Sequence, residues 1–278
     1  MHRNRISALV TLLVIFVASM ASAEVLARPA LPLVDLDASK LSEGPLPVWE
    51  NAGSLKGTFS SDGTNPQVRI VGGVKAVDFG GKDHMLSDFK APASITGDKP
   101  WTCIVRTYCR DVSRERTLVS WSNRPENCLE IEYGDAVLWG ALGTWSANTT
   151  GWNNNVPRPH RWRTLIYTYQ GGKDGEFQAW CDGELRVSRR FTLGTKEGRP
   201  FVLGACMTGD PHRNPGYTHF IDGAIASVRI FARGFTPLES WRASGFTSAY
   251  PGSPAEQPDR HCLNDAQMAS RQCARCIL

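Results

Sequence analysis

Apolar residues recur at every second position in many short segments of this 278-residue sequence, and this pattern constrains the fold more than any other feature. In the clearest segment, WTCIVRTYC (101–109), Trp101, Cys103 and Val105 share one face, and Thr102 and Arg106 are on the other. Gly, Asn, Asp and Pro residues separate such segments, which is typical of half-buried antiparallel strands. With no long helical stretch between the strands, the sequence predicts an all-β sandwich or barrel.

Two local motifs predict specific connections. In CDGEL (181–185), Asp182-Gly183 suits the positive φ angles of a two-residue type I′ turn, so the flanking strands should form a hairpin. Thr236-Pro237-Leu238-Glu239 has the features of a capping box, with Thr236 as the N-cap and Glu239 three residues later. We expect a short helix from this point through Ala243.

Residues 1–23 have the features of a cleaved secretory signal peptide. Arg3 and Arg5 precede an apolar run that ends in Ala21-Ser22-Ala23, a pattern that signal peptidase accepts. The run is short for a bilayer core of about 30 Å, which argues against a membrane anchor. We expect the mature protein to be secreted, periplasmic or at the cell surface, with no membrane segment after cleavage.

The mature chain suits one large β-domain at residues 24–248, followed by a tail. Prolines set among Gly, Ser and Gln mark a linker after the domain, so residues 249–278 should form a flexible, Cys-containing tail. Without residues 1–23, 29 basic and 27 acidic residues remain. A net charge of +2 gives no electrostatic basis for binding nucleic acid.

Four segments together resemble the laminin-G-like (pentraxin-type) branch of the concanavalin A-like lectin and glucanase superfamily: AVDFGGKDHM (76–85), LIYTYQGGKDGEFQAWCDGEL (165–185), FVLGA (201–205) and FIDGAIASVRIFARGFTP (220–237). The resemblance covers about residues 31–245. It implies a two-sheet antiparallel jelly-roll sandwich. It also implies a binding module for carbohydrate or for an extracellular or cell-surface partner. A purely structural module is the alternative.

Glycan contact is predicted for the segment between Trp139 and Trp162, which is rich in rings and amides. Aromatic rings stack on sugars, and amides bond their hydroxyl groups. The candidate residues are Trp145, Trp152, Asn153, Asn154, Asn155 and His160. In the alternative interpretation, the strand tryptophans belong to the core and the Asn run forms turns.

A polysaccharide-active enzyme is the competing function class. Glucanases with this fold carry a nucleophile and an acid/base carboxylate on alternate residues of one strand. The segment EIEYGD contains three acids that resemble this pattern, Glu130, Glu132 and Asp135. Strand alternation places the two glutamates on one face. The glucanase pattern is Glu-x-Asp-x-x-Glu, whereas this chain has Glu at the second acidic position and Asp at the third. Acids that face outward on a half-exposed strand are the alternative explanation of these residues.

Calcium is a further candidate, because carboxylates in turns often bind it in such sandwiches. Asp78, Asp83 and Asp222 match the turns of the family. Ala226-Ser227 and Gln170 stand where relatives often carry acids, which weakens an inherited site. Turn formation and backbone capping are the alternative roles for the three aspartates.

The eight cysteines fall into two groups. The first group lies on predicted strands where hydrophobes are expected, so buried thiols are the expected state, with one or two disulfides left open: Cys103, Cys109, Cys128, Cys181 and Cys206. The other three cysteines lie in the tail and, together with a histidine, offer four zinc ligands, with a disulfide as the alternative: His261, Cys262, Cys273 and Cys276.

Overall fold

A computed structural model describes residues 31–245 except 62, 64, 122–128, 135–139, 145–148, 153–155 and 209–215. The larger of its two main sheets has the spatial order β14 (Glu184–Phe191), β13 (Gly175–Cys181), β12 (Trp162–Tyr169), β8 (Trp101–Cys109), β18 (Asp222–Phe231), β6 (Val74–Gly80), β5 (Gln67–Val71) and β2 (Gly44–Pro45), and β1 (Val34–Asp37) also pairs with β18. The smaller sheet has the order β11 (Leu142–Thr144), β10 (Leu129–Glu132), β9 (Thr117–Trp121), β15 (Pro200–Leu203), β7 (Met85–Lys90), β4 (Thr58–Ser60) and β3 (Val48–Glu50). A separate hairpin joins β16 (Cys206–Met207) to β17 (Tyr217–Thr218), and a 3-10 turn spans Ala38–Lys40.

The paired strands of both sheets are antiparallel, and the predicted two-sheet sandwich is confirmed. Neighbours are often distant in sequence: β18 lies between β8 and β6, and β15 lies between β9 and β7. Such crossing connections are those of a jelly roll. Among the described residues, no helix is long and apolar enough to cross a membrane.

The core lies between the inner faces of the two sheets. Trp101, Cys103 and Val105 are buried there as the period-two pattern predicts, while Arg106 is exposed on the outer face of the larger sheet. The ring of Trp101 meets that of Trp121 in the smaller sheet edge to face, with centroids 5.5 Å apart. Because aromatic residues bury large apolar areas, contacts of this kind hold the sheets together.

Both predicted connections are present. Asp182 and Gly183 adopt φ angles of 49° and 79° between β13 and β14, as a type I′ turn requires. Helix α1 spans Pro237–Ala243, and both hydrogen bonds of the capping box between Thr236 and Glu239 are formed. The helix lies against an apolar cluster on the outer face of the larger sheet, formed by Ile104, Ile166, Trp180, Phe231 and Phe235 with Ala243.

The four cysteines of the described residues are buried: Cys103, Cys109, Cys181 and Cys206. Cys103, Cys109 and Cys181 are free thiols. This agrees with the thiol interpretation for those positions. Burial raises the pKa of Cys109 and of Cys181 to about 12, because a thiolate would lose its hydration there. Cys128 and the tail cysteines lie outside the described residues, so disulfides that involve them stay a prediction.

Candidate functional site

His219 lies between two carboxylates at the edge of a cleft beside the smaller sheet. Its Nε2 atom is 2.8 Å from Oε2 of Glu115, and its Nδ1 atom is 3.3 Å from Oε1 of Glu132. One ligand atom from each of the three residues lies within 4.8 Å of the others, a spacing at which the three could hold a metal ion. The cleft has a volume of about 400 Å³ and is lined by residues including Arg114, Thr218 and Phe220.

The three side chains come from separate parts of the chain. Glu132 ends β10, where a bulge against β9 shifts the strand register after Ile131. Tyr133 donates its backbone N–H to the carbonyl of Arg116, which ties the loop that carries Glu115 to the end of β10. Gly134 makes this approach possible, since a Cβ atom there would collide with the Arg114 carbonyl.

His219 is held against the loop that carries Glu115. Its carbonyl accepts the backbone N–H of Thr117, and Arg116 donates to the carbonyl of Phe220 at 3.0 Å. His219 has a φ of 55°, in the left-handed region that non-glycine residues seldom adopt. Backbone conformations of this kind persist where surrounding contacts enforce them, often at functional sites.

The electrostatics of the cluster depend on Glu132, whose side chain is 0% exposed. An ionised carboxylate in the interior needs a positive partner and hydrogen bonds to offset the lost hydration. A second carboxylate, Glu115, lies on the other side of the imidazole. A positive charge at the ring, carried by a proton or by a bound metal ion, would stabilise both acids.

The sequence pattern indicates one member of this cluster, Glu132, and carries no signal for Glu115 or His219. Glu132 was a candidate for catalysis together with Glu130 and Asp135. The structure pairs the Glu130 backbone with Ser120, but its side chain and all of Asp135 lie outside the described residues, so the catalytic pair stays untested. Glu115 and His219 belong to no local motif, and only the fold brings these distant positions together.

A second concave surface, the outer groove, lies on the outer face of the larger sheet. It has a volume of about 450 Å³ and is lined by Ile104, Arg106, Trp162, Arg163, Thr164, Asp182, Ser227, Arg229 and the C-terminal end of α1 (243–245). The guanidinium of Arg106 lies 5.9 Å from the centroid of the Trp162 ring, and Arg163 pairs with Asp182 at 2.8 Å. The groove therefore combines an aromatic ring with several hydrogen-bond donors.

Trp152 belongs to the core rather than to a glycan platform. It is 2% exposed, its ring packs against Tyr133 and Tyr167, and its indole N–H donates to the carbonyl of Gly140 at 2.5 Å. A ring enclosed on all sides has no face for a sugar to stack on, so the core interpretation holds for this residue.

Of the other five glycan candidates, the structure describes only His160. His160 is exposed, with a φ of 59°, and its ring lies 6.4 Å from that of Tyr108. Trp145, Asn153, Asn154 and Asn155 lie outside the described residues. Glycan contact by this segment therefore stays a prediction for those four positions.

The calcium candidates are engaged with protein donors. Asp78 is 3% exposed, and both of its carboxylate oxygens accept hydrogen bonds from Arg110 at 2.7 Å. Asp78 also forms an ion pair with Arg69. Arg110 also binds Asp222 at 3.1 Å, and Asp83 accepts the backbone N–H of Gly80. Guanidinium groups already supply positive charge to Asp78 and Asp222, which argues against a calcium ion shared by the three carboxylates, and calcium binding stays a prediction.

The predicted zinc ligands of the tail, His261, Cys262, Cys273 and Cys276, lie outside the described residues. The tail site and the flexibility of residues 249–278 therefore stay predictions. The same holds for the signal peptide at residues 1–23.

No family model and no curated protein sequence matches the chain. By structure, the chain is similar to domain 4 of AbnA, a GH43 extracellular arabinanase from Geobacillus stearothermophilus, in complex with arabinotriose: the TM-score is 0.53 at 14% identity, over 77% of this chain and 98% of that one. It is also similar to the receptor-binding domains of botulinum neurotoxin C/D mosaic serotype and type G, with TM-scores of 0.48 and 0.46 at 11% identity. This chain spans 51% of each of those two chains. The likeness to the arabinanase domain shows a shared β-sandwich fold.

Proposed function

We propose that this protein is an exported, laminin-G-like binding module that takes carbohydrate in the outer groove. The observation that carries the proposal is the composition of that groove, in which an aromatic ring, three arginines and three hydroxyl side chains line one concave surface. Sugar sites in proteins combine these groups, since rings cover the C–H faces of a sugar and polar donors bond its hydroxyls.

The strand register arranges the donors in a row. Thr164 on β12 lies directly opposite Arg106 on β8, and Arg106 lies opposite Ser227 on β18. Neighbouring strands are about 4.8 Å apart, so the row presents a polar side chain every ~5 Å across the groove. That spacing is close to the width of one sugar ring, which suits a chain of sugars running across the strands.

The charges favour a sugar that carries a carboxylate or sulfate. Arg106, Arg163 and Arg229 line the groove together with a single acid, Asp182, which Arg163 already binds. Asp35 on β1 lies opposite Arg229 in the strand register and offsets part of its charge. Arg106 is exposed beside Trp162, so it is the arginine best placed to bind an anionic substituent.

The fold likeness supports a binding role without naming a ligand. The arabinanase domain with the same sandwich architecture was obtained with arabinotriose. At 14% identity this shows only that such a sandwich can accept an oligosaccharide. The choice of the outer groove depends on the residues of this chain.

The test compares oligogalacturonate with a neutral oligosaccharide of the same length by calorimetry on the mature chain. We expect the acidic ligand to bind more tightly, and Arg106→Gln to weaken its binding at least tenfold. Arg189→Gln is the matched control, because Arg189 is exposed on β14 outside the groove. Absence of binding by the parent, or unchanged binding by Arg106→Gln, would contradict the proposal.

Export has its own test. Expression with residues 1–278 in a secretion-competent host should release a protein whose first residue is Glu24, as read by mass spectrometry. A secreted or cell-associated product that retains residues 1–23 would contradict signal cleavage.

A further inference from the structure

We propose that His219 and Glu115 bind a divalent transition metal ion such as Zn²⁺, and that Glu132 orients the histidine. The proposal concerns the cleft beside the smaller sheet and is independent of carbohydrate binding in the outer groove. Imidazole nitrogen and carboxylate oxygen form a mixed donor set that zinc accepts, whereas calcium prefers oxygen ligands alone.

The distances suit this division of roles. Zinc lies about 2.0–2.2 Å from imidazole nitrogen and carboxylate oxygen, so two ligand atoms of one tetrahedral ion are about 3.4 Å apart. The Nε2 atom of His219 and Oε2 of Glu115 are 2.8 Å apart, so a small outward rotation of Glu115 would admit the ion between them. The cleft supplies an entry path and space for the water molecules that would complete the coordination.

Glu132 is a positioning residue in this arrangement. With the metal at Nε2, the Nδ1 atom carries the proton and donates it toward Oε1 of Glu132, 3.3 Å away. Metal-binding histidines commonly donate their second N–H to a carboxylate, which fixes the tautomer and the ring orientation. The buried position of Glu132 at the end of β10 makes it a rigid acceptor.

The charges of the cluster itself are compatible with a bound cation. Two carboxylates flank one imidazole, and one of them has no exposed surface. A divalent ion at Nε2 would offset the charge of both glutamates.

The experiment must separate this site from the zinc site predicted in the tail. We would titrate Zn²⁺ into the full mature chain carrying Cys273→Ser and Cys276→Ser, with binding followed by calorimetry. His219→Gln and Glu115→Gln are then added singly. His160→Asn is the matched control, because it removes an exposed histidine outside the cleft that, like His219, has a positive φ, a conformation that asparagine tolerates.

We expect one equivalent of Zn²⁺ to bind the background chain and the His160→Asn control alike. His219→Gln and Glu115→Gln should each weaken binding at least tenfold while circular dichroism shows an intact β-sandwich. Glu115→Gln keeps the side-chain size on a loop, so it remains informative if His219→Gln fails to fold. Co²⁺ in place of Zn²⁺ should give a spectrum without thiolate charge transfer. No zinc binding by the background chain, or equal binding by all variants, would overturn the proposal and leave a histidine bridged by two glutamates.

Discussion

Truncation of Trp152 to alanine should destabilise the protein strongly and leave carbohydrate binding in the outer groove intact. The ring is 2% exposed and packs against Tyr133 and Tyr167 at centroid distances of 6.5 and 6.0 Å. Removing a buried tryptophan side chain of this kind costs about 3–5 kcal/mol, through lost burial and the cavity that remains. The change also leaves the buried carbonyl of Gly140 without its indole donor, which keeps the cost toward the upper end.

The assays are equilibrium urea unfolding and thermal unfolding, both followed by circular dichroism, with the mature parent and Trp152→Phe as controls. For a domain of this size, 1 kcal/mol shifts the melting temperature by about 2–4 °C, so the alanine variant should melt about 6–20 °C lower. Phenylalanine keeps most of the apolar contact, so its cost should be clearly smaller. A loss below about 1 kcal/mol for the alanine variant would refute the core assignment and restore Trp152 as a surface ring.

Three further outcomes are expected. The thiols of Cys109 and Cys181 should resist alkylation in the native protein, and rapid labelling at pH 8 would contradict their burial. Because burial raises the pKa of both thiols from 9.0 to about 12, the stability that depends on their neutral form should be lost as pH rises from 9 to 12. Gly204→Ala should destabilise the protein more than Gly198→Ala. Both glycines have a positive φ, but only a Cβ atom at position 204 would meet a phenylalanine ring, at 2.6 Å. Equal unfolding free energies for the two variants would contradict this steric argument. Hydrogen bonds from Ser113 and the Arg116 guanidinium lower the pKa of Asp111 from 3.8 to about 2. The stability that ionised Asp111 contributes should therefore be lost as pH falls through that range. Asp111→Asn should make the unfolding free energy depend less on pH in this acidic range.

Local signals were sufficient to predict the elements of the fold. The hairpin at Asp182-Gly183 and the helix that begins after Thr236 each depend on a few adjacent residues, whose backbone preferences and caps act over one turn. The inward positions of β8 follow from strand alternation alone. Turns, helix caps and strand faces that depend on adjacent residues can therefore be predicted from the sequence alone.

The candidate sites were harder to predict because tertiary packing creates them. His219 and Glu132 are 87 positions apart in the chain, and a bulge and a left-handed residue set their contact. Asp78 was a reasonable calcium candidate from its turn, but Arg69 and Arg110 reach it from other strands. Trp152 lies in a polar, Asn-rich segment, yet the fold directs its ring into the core.

The central claim is that the outer groove binds carbohydrate, and chemical-shift mapping tests it most directly. Oligogalacturonate would be titrated into the isotope-labelled mature chain while backbone amide and indole signals are followed. We predict that the perturbed signals cluster at Arg106, Trp162, Thr164 and Ser227, which lie side by side on β12, β8 and β18. Saturable perturbations confined to the segment between Trp139 and Trp152, or no perturbation at all, would contradict the account.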